Sequence, residues 1–285
     1  MTILVTGASG NVGSAVVSQL RARQIPFRQG SRRVDHAQRS PDGEVVPLDF
    51  RAAQTFRPAI QGCEGIFLLR PPAIADTQNT LIPFLEVAWQ AGVRQVVFIS
   101  VAGAGDNPLV PHHAVEKHLR QRSTGWTILR PGFFAQNLGD AYCQDIVEQD
   151  RMFVPAGQGR VAFIDVRDIA EVAVLALTDP AVHATQTYTL TGPEALTFQQ
   201  VAALLSRELG RDIAYQPASI LGYLRHLRRR GLGLNQAIVQ TVLHVGLRWG
   251  QAATVDDTLP HLLGHPPRQM QDYIRDYRHL WLAER

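Results

Sequence analysis

Three glycines near the start of the chain have the spacing of a phosphate-binding turn. Gly7, Gly10 and Gly13 follow a short apolar run, Ile3 to Val5, and helical periodicity begins directly after them. The first glycine permits a tight turn, the second lets a pyrophosphate approach the backbone, and the third lets the helix lie close to the strand. N–H groups at the helix start favour an anion. A glycine-rich turn in an unrelated α/β domain is the alternative. We predict a dinucleotide-binding turn with contacts from Gly7, Ser9, Gly10, Asn11 and Val12.

The residues after the second predicted strand indicate which dinucleotide binds. About 20 residues beyond the glycines, such folds place the group that contacts the adenosine ribose. The sequence there is Gly30-Ser31-Arg32-Arg33, and the first carboxylate after Gly13 is Asp35. A guanidinium matches a 2′-phosphate in charge and geometry, whereas a carboxylate would accept a hydrogen bond from a 2′-hydroxyl. Arg32 therefore predicts NADP (NADPH) as the cofactor. An arginine pair on a solvated loop is the alternative.

Ser100, His113 and Lys117 form a second group that could carry chemistry. Ser100 ends an apolar strand with a hydroxyl. His113 and Lys117 are four residues apart, so they share one face of a helix. An imidazole titrates near neutral pH and is able to donate a proton. A helix cap or a ribose contact is an equally good role for His113. These three are the candidate catalytic residues.

Further cofactor contacts are expected where strands end, because open α/β sheets bind ligands outside the carboxyl ends of their strands. Asp49 follows the third strand, where a contact to the adenine edge is usual. The fourth strand ends in Leu68 and Leu69, and the prolines after Arg70 stiffen its exit loop. The chain after the sixth predicted strand, Trp126–Leu129, is expected to pass the nicotinamide. The contacts predicted at strand ends are Asp49, Leu68, Leu69, Arg70, Ser100, Pro131 and Phe133.

The elements that position these residues alternate from residue 3 onward. Short apolar runs alternate with helical patterns, which predicts an α/β protein with a doubly wound, Rossmann-type parallel sheet. One helix is predicted over 76–91, and another starts at His113 with Val115, His118 and Leu119 on its apolar face. Beyond the sixth strand the alternation weakens, which predicts a smaller, mainly helical C-terminal substrate lobe. The expected NAD(P)-binding domain comprises residues 1–132, with 160–192 returning to it. The expected substrate lobe comprises residues 133–159 and 193–285.

Composition excludes several classes of function. The 285 residues are 45% hydrophobic and 19% charged, and the net charge of +3 is too small to favour nucleic acid. The Arg225–Arg230 cluster is interpreted as a solvated helix end, with a groove for a polyanion as the alternative. Cys63 and Cys143 lack metal-ligand spacing, and no apolar run approaches the ~20 residues that span a membrane. The strand directly after Met1 leaves no room for a leader, so we expect a cytoplasmic protein. Its expected partners are a small-molecule substrate and, in a possible homodimer, a second copy, with no nucleic acid, no membrane and no metal.

A series of motifs along nearly the whole chain occurs in a specific order. These motifs are Gly7–Gly13, Ser100, the His113/Lys117 pair, Gly125–Leu138, Phe163–Ala170, Tyr188–Pro193, Leu263–Pro267 and Trp281. In this order they resemble the NmrA-like, atypical short-chain dehydrogenase/reductases. The resemblance implies an NAD(P)-binding Rossmann fold and Lys117 as a ligand of the cofactor ribose, with a surface helix lysine as the alternative. Members of that family include NADPH-dependent quinone and azo-type reductases, imine or enone reductases, and cofactor-sensing regulators without catalysis.

The chain departs from catalytic short-chain dehydrogenases at one position. In those enzymes a tyrosine lies four residues before the lysine, and here His113 takes its place. A ketone becomes a basic alkoxide on hydride attack and benefits from a placed acid. A quinone becomes a phenolate with a pKa near ~10, and an iminium becomes a neutral amine. We therefore predict an NADPH-dependent oxidoreductase for a quinone, an iminium or an activated alkene. The alternative is a non-catalytic NADP-binding redox sensor that acts through a protein partner.

Overall fold

The computed structural model describes residues 1–34, 38–40 and 43–282, so Asp35 lies outside the described residues. The strands are β1 (Ile3–Thr6), β2 (Phe27–Ser31), β3 (Gln38–Ser40), β4 (Gly43–Pro47), β5 (Gly65–Leu69), β6 (Gln95–Ile99), β7 (Trp126–Pro131), β8 (Arg151–Val154), β9 (Arg160–Ala162), β10 (Gln186–Leu190), β11 (Ala195–Thr197) and β12 (Ala214–Pro217). The helices are α1 (Asn11–Ala22), α2 (Phe56–Ile60), α3 (Leu81–Gln90), α4 (Pro111–Leu119), α5 (Cys143–Gln149), α6 (Val166–Thr178), α7 (Pro180–His183), α8 (Phe198–Leu209), α9 (Ile220–Arg229), α10 (Leu234–Gly246), α11 (Thr258–Leu263) and α12 (Met270–Asp276).

The described residues divide into two compact units. Unit 1 comprises Met1–Pro131 and Val166–Leu190, and unit 2 comprises Gly132–Asp165 and Thr191–Arg285. The main sheet lies in unit 1, in the order β10-β7-β6-β5-β1-β2-β4-β3. All neighbours in it pair in parallel except β3, which pairs antiparallel with β4. This order places β1 at the point where the winding of the sheet reverses, so the predicted doubly wound, Rossmann-type fold is confirmed.

Both faces of the sheet are covered by helices, which explains why its central strands β1, β5 and β6 are almost continuously apolar. On one face, α1 packs against α6, and α6 lies against β5, β6 and β7. On the other face, side chains of α2, α3 and α4 join alternate strand residues in one buried cluster; Leu4, Leu68, Phe84, Phe98 and Val115 belong to it. Leu68 thus belongs to the core through its side chain.

Unit 2 is mainly helical and has its own core. Two small sheets supplement the helices, β9 with β11 and β12 with β8. The start and end of α8 follow from its capping residues. Thr197 caps the first turn in a capping box with Gln200, and Gly210 ends the helix in the left-handed region at φ 67°. Residues 160–165 were expected in the dinucleotide-binding domain, but they belong to unit 2, where β9 pairs with β11.

Two predicted helix boundaries differ from the structure. The helix expected over 76–91 begins only at Leu81, because Asp76 accepts hydrogen bonds from the backbone and side chain of Asn79 and holds the chain in a turn. The helix expected from His113 begins two residues earlier, with Pro111 in the favoured first position. Its buried face contains His112 and Glu116 beside Val115 and Leu119. His118, which was expected on that face, lies at its edge: the residue is half-buried, and its ring centroid is 5.5 Å from that of Trp89 in α3.

Candidate dinucleotide site

The glycine-rich turn between β1 and α1 requires two of its three glycines for its own geometry. Gly7 has φ +65°, a conformation that side chains with a Cβ rarely adopt. A Cβ on Gly13 would lie 2.1 Å from the carbonyl oxygen of Gly7, so only glycine lets α1 approach the turn this closely. Gly10 differs, because a Cβ there would meet only the oxygen of Gly7, at 3.5 Å. The fold itself therefore leaves room at Gly10.

The start of α1 offers backbone donors beside that room. Gly10 is the N-cap, so no side chain occupies the cap position, and the first turn contains no acidic residue. The N–H groups of a first helical turn have no partner within the helix, and the helix dipole makes this end positive. A phosphate group fits both features. These observations make the turn a suitable holder for the pyrophosphate of a dinucleotide.

A cavity of about 430 Å³ lies at the carboxyl ends of β1, β2, β4 and β5. It is bordered on one side by the glycine-rich turn and on the other by three arginines. The predicted contacts Gly7, Ser9, Gly10, Arg32, Asp49 and Leu69 all line it. The sequence did not single out the remaining lining residues as contacts: Thr6, Ala8, Gln29, Gly30, Ser31, Arg33, Val45, Leu48, Phe50, Arg51, Pro71, Pro72 and Ile74.

The arginine end of the cavity is strongly basic. Arg32, Arg33 and Arg51 all line it and are exposed. The hydroxyl of Ser31 accepts from the backbone N–H of Arg33 at 3.1 Å, which fixes the turn after β2. Asp49 accepts from the backbone N–H of Arg51 at 3.0 Å, and so fixes the turn after β4. The sequence signal for Arg51 is its position just beyond the end of a parallel strand.

Two predicted contacts have side chains that point elsewhere. Val12 and Leu68 are buried in the core of unit 1, with 4% and 0% of their surface exposed. A contact from either residue to a cofactor would therefore come from its backbone, and both stay predictions. Asn11, the first residue of α1, is exposed at the start of the helix.

Arg70 organises the loop that borders the cavity. Its Nη1 donates to the carbonyl oxygens of Pro71 at 3.0 Å, Pro72 at 3.3 Å and Ile74 at 2.5 Å. Its Nε donates to Nε2 of His112 at 3.2 Å. Burial lowers the pKa of Arg70. Burial, together with the Arg70 charge, lowers the pKa of His112 to about 4, so the imidazole is neutral and accepts at Nε2. Sequence reasoning missed His112, which lies 42 residues from its partner.

Ser100 belongs to a buried charged network that the sequence did not reveal. Its hydroxyl donates to Glu116 Oε1 at 2.5 Å, and Arg130 donates to both carboxylate oxygens at 3.0 and 2.6 Å. Arg120 lies 3.0 Å from the same carboxylate. Burial alone would raise the pKa of Glu116, but the hydrogen bonds from Arg130 and Ser100 outweigh it and lower the pKa. Glu116 is therefore ionised at neutral pH.

His113 and Lys117 lie on the more exposed side of α4. His113 Nδ1 lies 2.9 Å from the carbonyl oxygen of Ala104. Because a carbonyl only accepts, Nδ1 carries the hydrogen, and Nε2 of the neutral imidazole has none to donate. Lys117 is exposed. Ser100, His113 and Lys117 are absent from the lining of the cavity described above.

Two predicted contacts lie after β6 and β7. Pro131 is the last residue of β7, at the same edge of the sheet as the end of β6. Phe133 belongs to unit 2, where its ring packs edge-on against Phe163 and His244, at centroid distances of 5.6 and 5.8 Å. Its side chain is thus a part of the aromatic core of that unit.

The sheet order, the glycine-rich turn and the arginine-lined cavity define a dinucleotide-binding protein. A family model described as NAD(P)H-binding matches residues 7–180, and the chain belongs to this family. The resemblance to NmrA-like, atypical short-chain dehydrogenase/reductases is confirmed, as is the predicted class of NAD(P)H-dependent oxidoreductase.

Three known proteins illustrate the similarity. An NAD(P)H azoreductase of Xenophilus azovorans is 32% identical over 96% of this chain and 96% of its own length. An agroclavine dehydrogenase of Claviceps fusiformis is 31% identical over 99% of each chain. The structure of an NADPH-dependent quinone oxidoreductase from Escherichia coli superposes with a TM-score of 0.79 at 25% identity, covering 98% of this chain and 100% of that one.

The described residues contain no membrane-spanning helix and no metal-binding cluster. None of the helices in residues 1–34, 38–40 and 43–282 has the length and apolarity that crossing a membrane requires. Within the same residues, no group of three or more histidine, cysteine or acidic side chains is placed to hold a metal ion.

Proposed function

We propose that the protein is an NADPH-dependent reductase that transfers hydride to a small electron-poor acceptor, namely a quinone, an iminium or an activated alkene. The observation that carries the proposal is the cavity of unit 1, where the open position at Gly10 and the arginines of the opposite end fit the two charged parts of NADPH. When bound, NADPH supplies a hydride from C4 of its nicotinamide. The relatives named above are reductases or dehydrogenases of small molecules, which supports the same class here.

The choice of NADPH over NADH rests on the basic end of the cavity. Arg32, Arg33 and Arg51 line the cavity beyond the ends of β2 and β4, and Arg51 also donates to the carbonyl oxygen of Ala73 at 3.1 Å. Guanidinium groups suit a 2′-phosphate, which carries up to two negative charges. Asp49 accepts a hydrogen bond from the backbone N–H of Arg51. We assign it to the adenine edge and not to a ribose hydroxyl. The Arg70 loop closes the border of the site through Pro71, Pro72 and Ile74.

The proposed class of acceptor rests on the hydrogen bonds of Ser100 and His113, the two candidate proton donors. Ser100 donates its hydroxyl hydrogen to the carboxylate of Glu116. The contact of His113 Nδ1 with the Ala104 carbonyl leaves Nε2 of the neutral ring without a hydrogen. This geometry offers no proton from Ser100 and none from the neutral form of His113. An acceptor that stabilises its own negative charge, or ends as a neutral amine, does not need one. We assign Lys117 to the cofactor ribose and His113 to positioning.

The test is NADPH consumption with a panel of acceptors: a benzoquinone, a cyclic iminium, an enone and an unactivated ketone. The proposal expects turnover with one or more of the first three and at least a hundredfold lower kcat/KM with the ketone. Gly10→Val is the matched inactive control, since its side chain would fill the phosphate position in a chain that still folds. Tight NADPH binding without turnover of any acceptor would favour the non-catalytic sensor instead.

A further inference from the structure

The helical hairpin formed by α9 and α10, residues 220–246, has an unusual surface. In α10 the side chains of Ala237, Thr241, His244 and Val245 are buried, as expected for the inner face of a helix. Its opposite face is also apolar, although water-facing positions are normally polar. The side chains exposed there by 44–64% are Leu234, Ile238, Val239, Val242 and Leu243.

The apolar surface continues beyond α10. Leu221 at the start of α9 is 64% exposed, and Trp249, just after α10, is 75% exposed. Single exposed apolar side chains are ordinary, but a run of them on neighbouring elements marks an interaction surface. Leaving a large apolar side chain in water rather than burying it costs about 1.5–3 kcal/mol. The hairpin therefore lacks a partner that would cover it.

The charge of the same segment identifies the chemistry of that partner. Residues 213–255 contain no aspartate or glutamate, although the whole chain of 285 residues carries 25 acidic side chains. The same segment contains five arginines. Arg230 is paired with Asp145 of α5, outside the segment. Arg225, Arg228 and Arg229 are exposed, and no acidic partner is recorded for them in the described part of the chain.

A basic and apolar hairpin without acidic residues of its own does not suit the other candidate partners. A second copy of the chain, related by a two-fold axis, would place like charges opposite each other. Nucleic acid matches the arginines but not a row of exposed leucine and valine side chains. An anionic phospholipid surface matches both, because acyl chains accept the apolar residues and headgroup phosphates pair with arginine. An exposed tryptophan is also typical of the membrane interface.

We propose that the α9–α10 hairpin and Trp249 form a peripheral docking surface for anionic phospholipid bilayers, with the apolar face of α10 entering the headgroup region. The hairpin would lie in the headgroup region of one leaflet and would not span the bilayer. This inference goes beyond the proposed reductase function and does not depend on it. It departs from the sequence-based expectation of no membrane partner, which rested on the absence of a spanning segment.

The test is co-sedimentation of the full chain with vesicles of phosphatidylcholine, with and without phosphatidylglycerol. We expect binding to the anionic vesicles, at least tenfold weaker binding to the neutral ones, and loss of binding at high salt because salt screens the arginines. Arg225→Gln and Arg228→Gln should each weaken binding roughly fivefold. Trp249 emission should shift to the blue on binding, and Trp249→Phe should abolish that shift. Of the other three tryptophans, Trp126 and Trp281 are buried, and Trp89 is half-buried in unit 1, away from the hairpin in the chain.

A matched pair of variants separates specific docking from general stickiness. Val242→Asp changes a valine that is 64% exposed on α10, and Val182→Asp changes one that is 60% exposed in unit 1. We expect Val242→Asp to weaken vesicle binding at least tenfold and Val182→Asp to leave it unchanged. Both should keep their circular dichroism and their turnover of water-soluble acceptors.

Three results would overturn the inference. The first is equal binding, or none, to neutral and anionic vesicles. The second is a concentration-dependent dimer of the wild type that Val242→Asp dissociates, which would assign the surface to a second copy. The third is oligonucleotide binding that is stronger than vesicle binding and is lost in Arg225→Gln, which would assign it to a nucleic acid.

Discussion

Arg32 is the residue that decides which cofactor the site prefers. It lines the basic end of the cavity with Arg33 and Arg51 and is exposed there to a ligand. A charge-assisted contact to a 2′-phosphate contributes about 1.5–3 kcal/mol, so NADPH should bind at least tenfold more tightly than NADH. Arg32→Ala should remove most of that preference in titration calorimetry, and Arg33→Ala, its neighbour, serves as the comparison. Equal affinities for the two cofactors in the wild type would contradict the assignment.

His113 tests the role of proton transfer. Its Nδ1–H is held by the Ala104 carbonyl, so the neutral ring has no proton on Nε2 for a substrate. We expect His113→Ala to lower kcat/KM less than about tenfold, or ~1.4 kcal/mol. A true general acid would cost about 10²–10⁴-fold and would make kcat/KM fall with rising pH. A hundredfold loss of kcat/KM with unchanged NADPH affinity would show that His113 donates a proton, and ketones would then be expected as substrates.

His113→Tyr introduces the tyrosine of catalytic short-chain dehydrogenases. The variant should reduce ketones only if Ser100 and Lys117 already lie where such a tyrosine needs them.

His112 contributes to the loss of folding stability at acidic pH. Its pKa is about 4 in the folded chain against an ordinary value of 6.5, so the unfolded chain binds more protons between those values. Stability is therefore lost as the pH falls from about 6.5 to about 4, by up to about 3 kcal/mol. Glu116, whose pKa is lowered from 4.5, adds its loss only below that value.

Chemical denaturation at a series of pH values measures this contribution. His112→Gln keeps an acceptor near Arg70 and cannot take up the proton, so its free energy of unfolding should fall less between pH 6.5 and pH 4 than that of the wild type. Other buried histidines, such as His244, contribute equally to both proteins and cancel in the difference. Parallel curves for the two proteins would show that His112 is not protonated on unfolding in this range.

At the scale of elements, the β1–α1 turn separates the needs of the fold from those of the ligand. Gly13→Ala would place a Cβ 2.1 Å from the Gly7 oxygen and should destabilise the fold by several kcal/mol, on the order of the largest single-residue effects.

Gly10→Val should leave the melting temperature close to that of the wild type and abolish NADPH binding. Thermal melts with and without NADPH measure both. A Gly10→Val variant that is still stabilised by NADPH would show that the phosphate lies elsewhere.

The elements also explain what was predictable from the sequence. The turn was predictable because strand, glycines and helix are adjacent in the chain, and the parallel order of the sheet followed from strand and helix alternation. The Glu116 network was not predictable, because its partner Arg130 comes from a strand that pairs with β6 only in the folded sheet. The Arg70–His112 contact was missed for the same reason. Local patterns specify elements, whereas buried charge pairs depend on the tertiary arrangement.

At the scale of the whole molecule, the chain combines an NAD(P)H-binding domain with a second unit whose sequence carries no chemical motif. The sequence predicted that the C-terminal lobe is mainly helical, but it did not predict an exposed apolar face there. Hydrophobic periodicity reveals which face of a helix is exposed only when that face is polar. In α10 both faces are apolar, so the sequence could not distinguish the buried side chain of Ala237 from the exposed one of Val242. Solvent exposure in the structure was needed for that.

The central claim, that this chain catalyses hydride transfer from NADPH, is tested most directly with NADPH that carries deuterium on one face of C4. Each of the two monodeuterated epimers is incubated with the best acceptor of the panel, and the mass of the NADP⁺ product is measured. An enzyme that orients the nicotinamide removes hydrogen from one face only. The account predicts NADP⁺ that retains deuterium from one epimer and loses it from the other, with Gly10→Val forming no product. Loss of deuterium from both epimers alike, or no NADP⁺ at all while NADPH binds, would contradict it.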